Sequence, residues 1–443
     1  MKTFVPTPVP AVLAALAAAL LAGCGQELAC PSDQAACGGT CAALAVDPQN
    51  CGACGNPCPA GETCRAGACT DCAAVCGAGR CVAGACLADL YVACFASDEV
   101  RGVMADLAPA GPPFRADNGP VSLTASGGAV WVSHSLVPTL LGLHPDRSVP
   151  LRITLGGSDI EVVRPFGALL AASDSGSGTL VLVDPVRAAA VDEVDLAASP
   201  GQFPNPLAPA FVGTTGYVPL YGSAAAPDYA EAQAVAVVDL SASATCAAPP
   251  CGSVVKRLSL QDPTLPGACR PGTCDAPGYP FPSRAVAVES PPGRSRVLVT
   301  LANLKSGPFG YYTDPAGHGR LAVIDAASGD ALSTLDLGPD CLNPGGIAAL
   351  GTTVWVACGA SGTLLPVDAS VETPVPGTAL PLPAGFVPGN LAFCGAQGFV
   401  TDQYSGSIAR FDPANLPAVA IEAVCPVDPV AGWAWAADVT CGP

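Results

Sequence analysis

Charged and aromatic side chains are scarce in this sequence. Of its 443 residues, 12% are charged and 5% are aromatic, and 18 basic residues stand against 36 acidic ones for a net charge of -18. A surface of this kind repels phosphate groups, so nucleic acid is excluded as a partner and an electrostatic patch for anionic lipids is disfavoured. We interpret the net charge as a source of solubility, which says nothing about the fold.

Histidine and catalytic motifs are equally scarce. His134, His144 and His318 lie far apart in the chain, so a zinc site of three histidines requires them to converge on one face. The sequence contains no Gly-x-Ser-x-Gly elbow, phosphate loop or EF-hand loop. We therefore predict no metal, no cofactor and no catalytic residue, which favours a protein that is not an enzyme without deciding the question.

Apolar runs are short, and the longest one has the features of a targeting signal. The segment 11–22 reads AVLAALAAALLA, follows Lys2, and falls short of the roughly 20 residues that a membrane-spanning helix needs. It ends in Leu21-Ala22-Gly23-Cys24, which resembles the bacterial lipobox. The resemblance implies a signal peptide at 1–23 and a protein attached to the cell envelope membrane by a lipid on Cys24. Gly25, where an Asp would cause retention, implies the outer membrane. An ordinary signal peptide followed by a chance Cys is the alternative.

Cysteine is abundant, and its count fits an exported protein. Setting Cys24 aside from the 23 cysteines leaves an even number, and twelve of these lie between Cys30 and Cys86. So short a segment cannot build a hydrophobic core, so cross-links must hold its shape. We therefore expect residues 24–87 to form a separate module rich in disulfides.

The centre of this module, CGACGNPCPAGETCRAGAC from Cys51 to Cys69, resembles the stigma-specific cysteine-rich family of secreted proteins. A looser copy follows, from Cys72 to Cys86. Cys51 and Cys54 also have the spacing of half a zinc or iron–sulfur site, but the next spacings differ and the module contains no His. Export also favours disulfides over metal-bound thiolates.

From residue 88 onward, a unit of two short apolar strands separated by a small polar turn recurs seven times. The clearest copies are VWVACGASGTLLPVDAS from Val354, FVTDQYSGSIARFDPAN from Phe399 and LLAASDSGSGTLVLVDP from Leu169. Another short strand, often opened by Pro or Gly, precedes each unit, and a fourth strand follows most of them. Four strands per repeat are typical of a β-propeller. The copies resemble the bacterial surface propellers named for a Tyr-Val-Thr-Asn strand, which implies a fold and no particular chemistry.

We thus predict an all-β protein: a seven-bladed β-propeller at 88–443, preceded by a small disulfide-rich segment. The first unit lacks its inner strand, and the segment 432–439, GWAWAADV, reads as an inner strand left over. The end of the sequence should therefore complete blade one. Closing so long a loop with a disulfide should stabilise the ring by roughly 4–5 kcal/mol. This arrangement predicts the following pairs: Cys341–Cys358, Cys94–Cys425 and Cys394–Cys441, together with Cys246–Cys251 and Cys269–Cys274 in an insertion.

Propellers usually bind ligands where the loops after the second strands meet the central channel. Those loops place a mostly acidic polar set there, which could hold a cation or a polar ligand: Asp98, His134, Asp174, Asn303, Asp402 and Gln403. Asp and Asn also suit tight turns, which is the alternative. A second set recurs at one repeat position and is interpreted as turn chemistry: Asp184, Asp239, Asp325, Asp368 and Asp412. Tyr311 and Tyr312, in the long loop 304–319, are candidate contacts unless that loop only packs over a blade edge.

The leading functional hypothesis is a lipid-anchored envelope protein whose propeller is a non-catalytic binding or scaffold module for an unknown protein or a polar or glycan ligand. A second hypothesis is a lactonase-like propeller hydrolase with a metal in its channel. That class needs convergent Glu, Asn and Asp ligands, and no clear Glu set is evident in the sequence. A third hypothesis makes the Cys-rich module the recognition element and the propeller its platform.

Overall fold

The structure is a computed structural model. It describes residues 30, 34–38, 40–45, 47–59, 61–71, 80–82, 85–145, 150–198, 204–222, 233–260, 280–290, 292–304, 315, 317–429 and 432–443. Strands dominate these residues, and their helical content consists of the single 3-10 turns Phe95–Ser97 and Ser243–Thr245. Within this part of the chain, no helix is long and apolar enough to cross a membrane.

The Cys-rich segment consists of three antiparallel hairpins. The first pairs β1 (Ala35–Cys37) with β2 (Thr40–Ala42), the second β3 (Glu62–Arg65) with β4 (Ala68–Asp71), and the third β5 (Arg80–Val82) with β6 (Ala85–Leu87). Sulfur takes the place of an apolar core, since half-cystines supply most of its buried apolar side chains. The disulfides here are Cys30–Cys41, Cys37–Cys54, Cys51–Cys64 and Cys58–Cys69.

The rest of the described chain forms seven antiparallel sheets of four strands or more, as predicted. Blade one contains β7 (Leu90–Cys94), β8 (Glu99–Val103) and β9 (Phe114–Arg115). Blade two contains β10 (Pro120–Ser126), β11 (Ala129–His134), β12 (Thr139–Leu143) and β13 (Leu151–Thr154). Blade three contains β14 (Ile160–Phe166), β15 (Leu169–Asp174), β16 (Thr179–Asp184) and β17 (Ala189–Asp195). Blade four contains β18 (Ala210–Val212), β19 (Thr215–Leu220), β20 (Ala234–Asp239) and β21 (Ser253–Ser259).

The remaining blades follow the same order from the inner strand outward. Blade five contains β22 (Pro282–Glu289), β23 (Ser295–Leu301), β24 (Arg320–Asp325) and β25 (Asp330–Asp336). Blade six contains β26 (Pro344–Leu350), β27 (Thr353–Cys358) and β28 (Thr363–Asp368), with an outer strand in two pieces, β29 (Val375–Pro376) and β30 (Leu380–Pro381). Blade seven contains β31 (Pro388–Cys394), β32 (Gln397–Asp402), β33 (Ser407–Phe411) and β34 (Val419–Ala423). The last strand is β35 (Ala436–Cys441).

The hydrophobic core is divided among the interfaces between blades. Seven clusters of buried apolar side chains each draw their residues from two neighbouring blades, and one of them joins blade seven to blade one. A middle strand such as β15 is buried along its whole length because both faces pack on neighbours, whereas outer β25 is mostly exposed. Because each blade packs on the next and blade seven packs on blade one, the blades form a closed ring.

Strand β35 closes that ring by pairing with β7. Its register sets Ala436 opposite Cys94, Val439 opposite Val92 and Cys441 opposite Leu90, so it supplies the inner strand that blade one lacks. The strand lies a few residues beyond the segment 432–439 expected to form it, because the aromatic residues at its start belong to the loop before it. Disulfides join the predicted pairs Cys94–Cys425, Cys394–Cys441, Cys341–Cys358 and Cys246–Cys251. Cys269 and Cys274 lie outside the described residues, as does Cys24.

The recurring aspartates cap the hairpins between the third and fourth strands. In each, one side-chain oxygen accepts a hydrogen bond from the backbone N–H two residues later, as in Asp325 to Ala327 at 3.1 Å and Asp412 to Ala414 at 2.9 Å. The other members do the same: Asp184, Asp239 and Asp368. These hydrogen bonds favour the ionised form and lower the pKa of Asp239, Asp325, Asp368 and Asp412. These aspartates therefore stabilise the turns of the repeat, as predicted for the set.

Candidate functional site

The inner strands of six blades, all but blade four, have a bulge near their start. In blade two, Pro120 lies opposite His134 while Ser122 lies opposite Ser133, so Val121 is left without a partner. The same one-residue shift occurs near the start of the inner strand in blades one, three, five, six and seven. A bulge re-aims the residues within it. Here it turns one or two residues per blade toward the axis.

Those residues, together with others such as Leu207, Gln403 and Trp435, line a cavity of about 200 Å³ on the propeller axis, which we call the channel cavity. Every blade contributes to its wall: Val121, Glu161, Val162, Leu207, Ser283, Arg284, Gly345, Gly346, Gly389, Asn390, Gln403, Trp435 and Ala437. Blades six and seven carry glycine here because their inner strands approach closely, and a Cβ on Gly346 would collide with the carbonyl oxygen of Gly389. The volume is several times the roughly 30 Å³ that a water molecule occupies in the liquid.

Hydroxyl groups of the second strands compensate for the hydrogen bonds that the bulges break. The Thr300 hydroxyl accepts from the backbone N–H of Arg284 at 3.1 Å, and the Thr401 hydroxyl accepts from that of Asn390 at 2.9 Å. In blade three, the Ser173 hydroxyl donates to the Leu207 carbonyl of the neighbouring blade at 2.8 Å. The cavity wall is therefore fixed by polar contacts as well as by packing.

Two charged side chains of the wall region are paired with each other. Asp438, on β35, accepts from the Ser122 hydroxyl at 3.0 Å and from the Leu123 N–H at 2.9 Å, and its other oxygen accepts from the Val439 N–H at 3.0 Å. The Arg164 guanidinium lies 3.9 Å from Asp438 and donates to the Ser122 hydroxyl at 3.0 Å. Asp438 is thus held by several partners and by one cation.

Arg284 is different because its charge has no direct partner. Among the described residues, its guanidinium makes no hydrogen bond or ion pair, although its backbone does. Loss of water around the guanidinium lowers the pKa of Arg284 to about 10, against the opposing attraction of Asp438 and Glu161. An uncompensated cation at the wall of a cavity is costly unless water or a ligand meets it.

Glu161 faces the same cavity and is held near neutrality. Burial raises the pKa of Glu161 to about 7, and the negative charge of Asp159 adds to the effect, while Arg284 opposes it. Close to pH 7 the carboxyl group is therefore part protonated, and its proton is shared in a hydrogen bond with Asp159.

An aromatic cluster adjoins the cavity. Trp435 lines it and packs on Phe95 with ring centres 4.7 Å apart. Trp433 completes the cluster at 6.0 Å from Phe95 and is 43% exposed. Trp435 therefore gives the cavity wall one apolar ring, and Phe95 and Trp433 pack behind or beside it.

Two of the three aspartates of the predicted loop set bind their own turns. Asp174 accepts from the N–H groups of Gly176 and Ser177 at 3.0 and 3.1 Å, and Asp402 accepts from the Tyr404 N–H at 3.0 Å, which matches the turn alternative. Asp98 has a left-handed backbone, with φ of 51°, and accepts from the N–H of Gly119, in the segment that leads into blade two, at 2.9 Å. None of the three residues lines the channel cavity.

The other members of that set are dispersed. Asn303 also has a left-handed backbone, and its amide donates to the His318 carbonyl at 2.7 Å. Gln403 alone lines the channel cavity, where its side chain occupies the space left open by Gly389. Tyr311 and Tyr312 lie outside the described residues. The expected polar ring of loop side chains is therefore reduced to one residue at the cavity.

His134 is a buried structural residue. It is completely inaccessible, its Nδ1 donates to the Thr139 carbonyl at 3.0 Å, and its Nε2 accepts from the Asp117 N–H at 3.2 Å. Burial lowers the pKa of His134, so the ring is neutral at pH 7. Asp117 in turn accepts from the Thr139 hydroxyl and from Arg152, which ties the loop before β10 to the outer part of blade two.

The cysteines that lie close enough to share a metal are cross-linked instead. Cys51, Cys58 and Cys69 form one such group, and Cys246 and Cys251 lie beside Asp192 in another. All five sulfur atoms are in disulfides. The half-zinc alternative weighed for Cys51 and Cys54 is therefore wrong in this structure.

Sequence reasoning missed the charged residues of the channel, Glu161, Arg164, Arg284 and Asp438. A usable signal was present, because Pro opens the inner strand in blades two, five, six and seven, and the residues directly after that Pro are the ones that face the axis. Arg284 follows Pro282 by two positions in a chain with only 18 basic residues.

Comparison with known proteins supports both parts of the architecture. Residues 21–72 match the model of the Stigma-specific STIG1-like protein family, so the chain carries a Stig1-like Cys-rich segment. Among solved structures, the hydrazine synthase of Kuenenia stuttgartiensis is 13% identical, with a TM-score of 0.51 over 72% of this chain and 90% of that one. The WD40 β-propeller domain of Doa1 is 9% identical, with a TM-score of 0.47 over 74% and 92%. A search of curated proteins gives no match. At these identities, the likeness of hydrazine synthase extends to the fold alone.

Proposed function

We propose that this protein is an exported lipoprotein, attached to the cell envelope through Cys24, whose propeller binds a ligand or partner without transforming it. The observation that carries the binding role is the channel cavity, a preformed polar space to which all seven blades contribute and in which Arg284 has no direct partner among the described residues. Pockets of this kind, apolar on one side with a few convergent polar groups, are typical ligand sites.

The donor set of the channel does not suit a metal-dependent hydrolase. Ca²⁺ takes six to eight oxygen ligands, several of them carboxylates. The described residues at the channel cavity offer Glu161, with Asp438 behind the wall, and two guanidinium groups lie beside them. Every oxygen of Asp438 already accepts a hydrogen bond. The two guanidinium groups offset the negative charge that a divalent ion needs from its ligands, so binding without catalysis is the function we favour.

The Cys-rich segment is a second candidate for the recognition element. The four disulfides between Cys30 and Cys69 are internal to it, and the described disulfides of the propeller join propeller residues to each other. We therefore expect the propeller to fold when 30–86 is deleted. If the deleted protein loses attachment to a cell surface while the substitution Arg284→Gln does not, the segment is the recognition element and the propeller its platform.

The anchor is tested by expressing the full chain and its Cys24→Ser variant in a bacterium with two membranes, in the presence of a labelled fatty acid. We expect the wild-type protein to carry the label and to sediment with the outer membrane, and the variant to be unlabelled and released. An unlabelled wild-type protein, or a labelled variant, would show that Cys24 is not the lipid site.

A further inference from the structure

One cation at the channel cavity has no direct partner among the described residues. Arg164 is paired with Asp438 and Ser122, and Asp438 is saturated by hydrogen bonds. Glu161 is part neutral near pH 7, and its negative neighbour is Asp159, with which it shares a hydrogen bond. Arg284 is therefore the cation that is left for a ligand to meet.

We propose that the channel cavity binds a small monocarboxylate with an apolar body, whose carboxylate meets Arg284 and whose body lies against Trp435. This inference rests on the proposed role of the propeller as a binding module and names the ligand class. A single negative charge is enough to pair with Arg284, whereas a dianion such as a phosphate ester adds repulsion from Asp438, Asp159 and ionised Glu161. The guanidinium of Arg284 offers the N–H donors that a carboxylate accepts.

The remaining wall fits such a ligand. Asn390 is held by donating its amide to the Ala437 carbonyl, and Gln403 also borders the cavity. Trp435, in contact with Phe95, provides an apolar ring. Gly345, Gly346 and Gly389 carry no side chains into the part of the wall that blades six and seven form. The cavity thus combines a cation with an apolar ring, which together complement an aromatic or short-chain acid.

The experiment is a titration of the full-length protein with benzoate at constant ionic strength, followed by calorimetry and by tryptophan fluorescence. We expect saturable binding by the wild-type protein and a loss of tenfold or more in affinity for Arg284→Gln, since one charge-assisted contact is removed. Benzamide, which has the same ring without the charge, should bind at least tenfold more weakly than benzoate. Arg101→Gln, at a half-buried arginine that pairs with Glu99 in blade one, is the matched control and should bind like the wild type.

A second variant separates ligand contact from a structural role of Arg284. Glu161→Gln keeps the size and hydrogen bonding of the side chain but removes its negative charge, so it should bind benzoate several-fold more tightly than the wild type above pH 7. A purely structural arginine predicts no such gain. The proposal is overturned by the absence of saturable wild-type binding, by equal affinity of Arg284→Gln, or by benzamide or phenylphosphonate binding as tightly as benzoate. Cys24→Ser should bind benzoate normally, so failure of the anchor and failure of this site give different results.

Discussion

The disulfide between Cys94 and Cys425 should be a large single contributor to the stability of the ring. It joins residues 331 positions apart, and both half-cystines are buried at the junction of blades one and seven. On the chain-entropy model, a loop of that length restricts the unfolded chain by about 6 kcal/mol. The double variant Cys94→Ala/Cys425→Ala should therefore lose about 4–6 kcal/mol of unfolding free energy, with measured losses at the lower end because native packing relaxes.

The same model gives the control. Cys246–Cys251 closes a loop with a sequence separation of 5, for which it predicts about 2 kcal/mol. Urea unfolding of the two double variants and the wild-type protein, monitored by tryptophan fluorescence, should reveal a larger loss for the long loop, with a lower midpoint at unchanged slope. Equal small losses in both variants would refute the reasoning and would mean that the pairing of β35 with β7 closes the ring without help from the covalent link.

Three further predictions concern buried polar groups. Asp192→Ala should lower the free energy of unfolding, measured with urea, by about 3 kcal/mol, because four donors lose their acceptor, among them the Ser243 hydroxyl and the Gly252 N–H. Asp239→Ala, in an exposed turn, is the control and should lower it by less than about 1 kcal/mol. Burial lowers the pKa of His134 below its ordinary 6.5, so the unfolded chain takes up its proton first as the pH falls. The unfolding free energy should therefore drop below pH 6.5 in the wild-type protein, and His134→Gln should remove that component; a pH profile shared by both would contradict this. Benzoate affinity should fall as the pH rises through about 7, where Glu161 ionises in the presence of Asp159, Arg164, Arg284 and Asp438, and Glu161→Gln should be insensitive over that range.

The sequence predicted the propeller because the strands that recur in it are buried on both faces, where only apolar side chains fit. The second and third strands, such as β15 and β16, are buried on both faces, so they read as apolar runs separated by a polar turn. The aspartates that cap the next hairpin mark the period. Blade one lacked an inner strand and the segment 432–439 was left over, so the ring was expected to close by pairing the two. The positions of the cysteines agreed with that closure.

The channel could not be predicted in the same way, because its chemistry lies in the bulges. A bulge breaks the alternation of two faces from which side-chain direction is inferred, so the side chain of Arg284 was not expected to face the axis. The side chains of the loops after the second strands were expected to face the channel, because those loops are polar. Their short side chains fold back onto neighbouring N–H groups, as Asp174 and Asp402 do. These side chains form local hydrogen bonds at little entropic cost, so they are not available to bind a ligand in the channel.

The pairing of β35 with β7 also governs how the molecule can be made. A nascent chain exposes the edge of Leu90–Cys94 from the moment that blade one starts to fold until Ala436–Cys441 emerges, more than 300 residues later. During that interval, the open edge can accept a strand from any other chain, including the last strand of a second copy. Exchange of that single strand between copies would give a linked pair of otherwise normal propellers.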